Sequence, residues 1–184
     1  MPQTVLTWFY CLSIKDAVLL VIVVSIVYLV LRHCLGKKHL WRTMVALLFL
    51  VWIIVIVVAT LADRTPGTTP AEPQLIPFHS YRAVLAGENK EILRSNLMNI
   101  MLFYPAGLLL FDVLPKSWNR LKCLFFDVGM LAIMSIVIEL CQYCFALGIA
   151  ETDDIIHNTT GALMGAIVCC LQIKRRQKAE IPRN

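Results

Sequence analysis

Apolar residues dominate five stretches of the chain, and each has about the length of a membrane helix. A membrane-spanning helix needs about 20 consecutive, mainly apolar residues. Embedded backbone must also satisfy its hydrogen bonds within the segment, which a helix does. We therefore predict an all-α integral membrane bundle of about five transmembrane helices. They run from about Ile14 to Leu31, Thr43 to Leu61, Leu97 to Leu114, Cys123 to Phe145 and Ile155 to Ile173.

The composition supports this class. Hydrophobic residues make up 59% of the 184 residues and charged residues 16%, whereas a soluble domain is about one-quarter charged. The net charge of +5 does not indicate nucleic-acid binding, because the Lys and Arg residues are scattered between apolar runs. We predict a single membrane domain over residues 1–184, with the lipid bilayer as its surroundings.

Basic residues predict the orientation of the bundle. Cytoplasmic loops carry an excess of Lys and Arg. The loops after the first and third spans and the tail at 174–184 hold 12 of the 17 Lys and Arg residues, and all three fall on one side. We therefore predict a basic cytoplasmic tail, an external N-terminus and an external segment at 62–96 between spans two and three.

The external segment changes character along its length. Its first half is rich in Pro and Gly and predicts an irregular loop. The pattern from Tyr81 to Ser95 predicts a short amphipathic helix at the interface. Leu75–Phe78 is apolar but too short to span, so we expect it at the interface or folded back over the mouth of the bundle.

Polar residues lie at corresponding ends of three predicted spans. Such side chains are costly at membrane depth and usually face the bundle interior. In the predicted orientation all of them lie near the external surface, so we predict a polar ligand-binding pocket that opens outward. Its residues are Asn96 and Asn99 on span three, Glu139 and Gln142 on span four, and Asp153, Asp154, His157 and Asn158 on span five.

Glu139 is the residue that most favours a functional pocket, because it lies inside an apolar run. A carboxylate there must be protonated, paired or solvated. His157, Gln142 or an external arginine such as Arg64 or Arg82 could be its partner. Glu139, Asp154 and His157 are also the candidates for acid–base chemistry or for holding a divalent cation. No zinc spacing, Walker loop or nucleophile paired with a base is recognisable, so we predict no metal and no cofactor.

Four motifs in order resemble the VanZ-like family. They are Leu75-Ile-Pro-Phe78, Asn99-x-x-x-Phe103-x-Pro105-x-Gly107, Glu139-x-x-Gln142 and Asp153-Asp154-x-x-x-Asn158-x-x-Gly161-x-x-x-Gly165. The resemblance covers about residues 62–171. It implies a bacterial multispan membrane protein, in a family whose namesake is associated with resistance to the glycopeptide teicoplanin. Many relatives carry an Arg just before the acidic pair, which Gly148–Glu151 lacks.

Three functions fit these observations. We favour a binding protein of the cell envelope whose pocket recognises an external polar or lipid-linked group, such as a wall or teichoic-acid precursor, and so affects teicoplanin susceptibility. The alternative is a membrane enzyme that acts on a lipid-linked substrate, with Glu139 and Asp154 as acid and base or as metal ligands. In a purely structural interpretation, Asp153 and Asp154 help to start a helix and the other polar residues join helices through hydrogen bonds.

Overall fold

The computed structural model describes residues 14–35, 40–62, 64, 66–87, 91–115 and 117–179. Four of the twelve basic residues that predict the orientation, Lys37, Lys38, Lys116 and Arg183, lie outside the described residues, as does the predicted external N-terminus at 1–13. So does the end of the basic tail, at 180–184.

The described chain forms six α-helices and one π-helical turn. The π-helical turn at Val58–Ala62 extends α2 toward the external segment. The helices are α1 (Ile14–Leu35), α2 (Leu40–Val57), α3 (His79–Leu85), α4 (Glu91–Val113), α5 (Arg120–Cys144) and α6 (Thr152–Ala179).

The fold is a helical membrane bundle, as predicted. Among the described residues, four helical segments are long and apolar enough to cross a membrane, namely Leu40–Leu61, Glu91–Val113, Arg120–Cys144 and Thr152–Gln172. The apolar part of α1, Val21–Leu35, is shorter. Large apolar side chains remain exposed along the outer faces, for example Leu50 and Ile54 on α2, as lipid contact requires. The inside–outside orientation remains a prediction.

Helix α4 lies at the centre of the bundle and packs closely against α6. A Cβ atom added at Gly161 would overlap the backbone of Ile100, and one at Gly165 would overlap the backbone of Tyr104. Gly107 makes the reciprocal approach, to the backbone of Ala162. The glycines of the α6 motif therefore serve close helix packing, and this packing fixes which faces of α4 and α6 meet at the cavity described below.

The predicted helix from Tyr81 to Ser95 is wrong in its bounds. Helix α3 starts at His79 and ends at Leu85, and Gly87 follows with a φ of 93°. This left-handed conformation is readily adopted by glycine and commonly ends a helix. Residues 91–95 belong to the first turns of α4. The short helix therefore exists, but it ends at Leu85 and is separate from the helix of span three, which begins at Glu91.

The external segment is fastened to the connection between α5 and α6. The amide of Gly67 donates to the carbonyl of Ala146 at 2.7 Å. Gln74 forms a short parallel bridge with Glu151, flanked by hydrogen bonds to Ala150 and Thr152 of 2.9 and 3.0 Å. The segment thus crosses the end of the bundle where α5 stops and α6 starts, and it leaves Leu75 and Phe78 exposed.

Candidate functional site

A cavity of about 80 Å³ lies among the end of α2, the start of α4, the end of α5 and the start of α6. Five of the eight predicted site residues line it. They are Asn99, Glu139, Gln142, Asp154 and Asn158. The rest of the lining comes from Ala59, Thr60, Arg64, Ser95, Met98 and Leu102.

Two carboxyl groups and one guanidinium share this cavity. Glu139 comes from the last turns of α5 and is only 5% exposed, and Asp154 comes from the first turn of α6. Glu139 accepts a hydrogen bond of 2.9 Å from the amide of Glu151. Arg64 lies close enough to act electrostatically on both carboxyl groups. Of the partners considered for Glu139, the cavity therefore holds Arg64 and Gln142.

Arg64 places a positive charge beside the α5–α6 connection, which itself carries no Arg. Its Nη1 atom lies 3.5 Å from the carbonyl oxygen of Leu147. The same atom occupies the space into which a Cβ at Gly148 would project. An arginine from the external segment thus supplies the positive charge that the connection itself lacks.

Carboxamide groups complete the cavity wall, and their hydrogen bonding is incomplete. Gln142 donates to the carbonyl of Thr60 at 3.1 Å, and Asn158 donates to the hydroxyl of Ser135 at 2.9 Å. Each amide is thereby oriented, yet the side-chain oxygens of Gln142 and Asn158 have no partner among the described residues. Both residues are at most 3% exposed. Buried polar atoms in native proteins are nearly always paired, so these two oxygens, and the Nδ2 atom of Asn99, are exceptions that face or adjoin the cavity.

Asn96 and Asp153 lie in a different network. The carboxylate of Asp153 accepts from the amides of Phe78 and Ser80 at 2.5 and 2.8 Å, and also from the Ser80 hydroxyl. Asn96 donates to the same Ser80 hydroxyl at 2.9 Å. Asp153 therefore satisfies the free amides at the start of α3 and joins that helix to α6, and Asn96 joins it to α4.

His157 also lies outside the cavity lining. Its Nε2 atom is 2.8 Å from the Tyr81 hydroxyl, and the two rings are 5.6 Å apart. It therefore joins α6 to α3 and does not share a ligand set with Asp154. Within the described ranges, no group of three or more His, Cys, Asp and Glu residues is arranged to hold a metal ion.

Glu151 adds a further acidic group at the rim. It precedes α6, outside the spanning segments, and is half-buried. Burial raises the pKa of its carboxyl, and the charge of Asp153 raises it further. Its backbone amide donates to the Glu139 carboxylate and orients it. The predicted site did not include Glu151, because a contact made by a backbone amide leaves no signal in the side-chain pattern.

A second polar cluster lies at the opposite end of the bundle and was not predicted. The Arg32 guanidinium is 2.7 Å from the Asp112 carboxylate, and both side chains are buried. The other Asp112 oxygen accepts from the Tyr28 hydroxyl at 2.7 Å and from the Trp41 indole at 2.8 Å. Arg32 also lies 3.1 Å from the Cys169 sulfur. The signal available was Asp112 near the end of an apolar run, but Arg32 was interpreted only as a topology signal.

Comparison with known proteins identifies the family. The family model described as VanZ/LLP1 matches residues 43–173, which include the whole cavity lining. The chain is similar to Protein VanZ of Enterococcus faecium, with 29% identity over 90 residues, 49% of this chain and 53% of that protein. The match spans about half the length of that relative. No solved structure gives a significant match. Its candidate spans suit a multi-pass protein of the plasma membrane. Because the family model matches most of its length, the chain belongs to the VanZ/LLP1 family.

Proposed function

We propose that this protein binds a small polar group of a lipid-linked or cell-wall component at the outer face of the bacterial plasma membrane. This binding would affect susceptibility to glycopeptides such as teicoplanin. The observation that carries the proposal is the cavity in which Glu139, Asp154 and Arg64 meet beside two unpaired carboxamide oxygens.

The size of the cavity limits what can enter it. Sites for drug-sized ligands usually measure about 300–1,000 Å³, whereas this cavity measures about 80 Å³. It has room for several water molecules or for one small polar group. A glycopeptide would not be enclosed, so the effect on susceptibility would come from an envelope component whose head group enters the cavity.

The incomplete hydrogen bonding favours a binding role over a purely structural one. Polar groups that only hold a bundle together gain most when every donor and acceptor is paired. Here the oxygens of Gln142 and Asn158 are oriented by bonds made through their own amide nitrogens. They are held ready without a partner, which costs stability unless a ligand or water supplies donors.

An enzyme that modifies a lipid-linked substrate is the second candidate. Glu139 and Asp154 line one cavity and interact electrostatically, and paired carboxyl groups can divide acid and base roles. His157 is dropped from the catalytic candidates because Tyr81 holds it outside this lining. Product formation from envelope lipids, lost in both carboxamide variants, would favour this candidate.

The test is teicoplanin and vancomycin susceptibility in a sensitive Gram-positive host. The strains would express the wild type, Glu139→Gln, Asp154→Asn or Glu72→Gln, with membrane abundance measured through an epitope tag. Glu72 is an exposed carboxyl group of the external segment and serves as the matched control. We expect protection by the wild type and by Glu72→Gln, and its loss in the two cavity variants at equal abundance. Protection that persists in both cavity variants would refute the role of the cavity.

A further inference from the structure

We propose that the head group bound in the cavity carries a primary ammonium ion. This inference rests on the proposed binding function and names the chemical class of its ligand. The geometry points to it through three features: buried acceptors without a partner, two carboxyl groups against one guanidinium, and no aromatic ring in the described lining.

The lining holds buried acceptors that lack a partner among the described residues. Glu139 and Asp154 supply carboxylate oxygens, and Gln142 and Asn158 each supply a buried carbonyl oxygen without a partner in the described chain. The amide nitrogens of Gln142 and Asn158 are already used on Thr60 and Ser135. A ligand that donates hydrogen bonds would satisfy these oxygens, whereas the unpaired donor in the lining is the Nδ2 group of Asn99 alone among the buried atoms of the described residues.

The charged side chains of the lining also favour a cationic ligand. With both carboxyl groups ionised, Glu139 and Asp154 carry two negative charges against the one positive charge of Arg64. An uncompensated charge is strongly disfavoured away from water. A singly charged cation would leave the cavity neutral, whereas a phosphate or carboxylate would raise the excess of negative charge.

Among cations, a primary ammonium fits this lining best. It presents three donors on one compact group, which matches several acceptors within about 80 Å³. A quaternary ammonium has no donor and is usually held by aromatic faces, and the described lining has no aromatic residue. The described lining has only two of the His, Cys, Asp and Glu side chains, and no group of three or more is arranged among the described residues to hold a metal ion.

Two sources could present this group at a membrane surface. One is a lipid with an ethanolamine head group, and the other is an aminoacyl ester on a polyol of the envelope. Both end in a primary ammonium on a short arm, so the cavity would recognise their shared chemistry.

The first test uses the purified full-length chain in detergent and small probes of matched size. Ethylammonium, ethanol and tetramethylammonium would be titrated while the thermal unfolding midpoint is measured. We expect a saturable rise with ethylammonium and none with the two controls, because only a ligand that binds the folded state raises the midpoint. Equal shifts with all three probes, or none with ethylammonium, would overturn the proposal.

Variants separate cavity binding from binding elsewhere. Glu139→Gln and Asp154→Asn should each weaken the ethylammonium Kd about tenfold, the loss expected for one charge-assisted hydrogen bond. Glu72→Gln should leave the Kd unchanged. Arg64→Gln removes the competing cation and should tighten binding, a gain that a misfolded protein cannot imitate. Weaker binding in Arg64→Gln would contradict the charge argument.

The source of the ammonium can then be resolved. Nanodiscs of phosphatidylethanolamine would be compared with nanodiscs of phosphatidylcholine, and the latter would be titrated with glycerol carrying a glycyl ester. Stabilisation by the first lipid alone would assign the lipid source, and stabilisation by the ester alone would assign the envelope polyol. No stabilisation in either arm would overturn the ammonium assignment. If antibiotic protection still required Glu139, the proposed function would stand with a different ligand.

Discussion

The two ends of this bundle hold charged groups in opposite ways. At one end, Arg32 and Asp112 form a buried ion pair whose remaining oxygen accepts from Tyr28 and Trp41. At the other end, the cavity holds Glu139 and Asp154 beside Arg64, with carboxamide oxygens left unpaired. Along α4, Asn99 and Asp112 are 13 positions apart, which separates the two ends by about 20 Å.

This difference distinguishes a structural ion-pair cluster from a ligand-binding site. In the Arg32–Asp112 cluster, charge is neutralised and both oxygens of the carboxylate have donors, so the cluster joins α1, α2 and α4 without needing a guest. In the cavity, two carboxyl groups lie beside one guanidinium, and oriented acceptors have no donor among the described residues. Polar clusters at the two ends of one bundle can therefore serve different roles. Whether every hydrogen-bonding group of the cluster has a partner distinguishes a structural cluster from a binding site.

The largest expected contrast between the two ends is their accessibility. Cys144 is exposed at the cavity end and Cys34 is exposed at the opposite end. In intact cells, a membrane-impermeant maleimide should label a variant that retains only Cys144 and should not label one that retains only Cys34. Permeabilised cells provide the control, because both variants should then react. Labelling of Cys34 alone in intact cells would place the cavity on the cytoplasmic side.

The second-largest expected effect is the loss of stability when the Arg32–Asp112 ion pair is removed. Asp112→Leu removes the buried carboxylate that neutralises the charge of Arg32, which costs about 3–5 kcal/mol. For a chain of this size, the thermal midpoint should fall by about 6–20 °C. The double variant Arg32→Met with Asp112→Leu should recover most of this loss, because no buried charge is left alone. A double variant as unstable as the single one would contradict this explanation.

A smaller effect should follow from detaching α3. Asp153→Asn removes the charge from the three hydrogen bonds to Phe78 and Ser80, and a bond to a charged group contributes about 1.5–3 kcal/mol. Hydrogen exchange at the Ser80 amide should therefore accelerate about tenfold or more, while amides in the middle of α4 keep their protection. Uniform acceleration through α4 would show that Asp153 supports the whole bundle.

Much of this architecture was predictable because membrane helices leave a strong sequence signal. The apolar runs predicted the spans, and the spacing of Glu139, Gln142 and Asn158 placed their side chains on inward faces. The spacing could not show which residues accept or donate the hydrogen bonds of these side chains. Asn96 and Asp153 face the same end as the cavity residues, but Ser80 of α3 binds both.

The rest depends on contacts distant in sequence. Arg64 reaches Gly148 only because the external segment is fastened to the α5–α6 connection. The pairing of Arg32 with Asp112 likewise joins α1 to α4 across 80 positions. Neither follows from helical periodicity, which describes one helix at a time. The bounds of α3 depended on the left-handed conformation of Gly87, a turn signal inside an otherwise amphipathic pattern.

The central claim is that the cavity is built to bind and not to stabilise, and the thermal midpoint of Glu139→Gln tests it most directly. The substitution removes a poorly compensated charge and keeps the shape of the side chain, so we predict a midpoint within about 3 °C of the wild type, or higher. Asp112→Leu, measured in the same detergent, supplies the scale for a fastening residue. A fall in Glu139→Gln as large as that in Asp112→Leu would contradict the claim and make the cavity a second structural cluster.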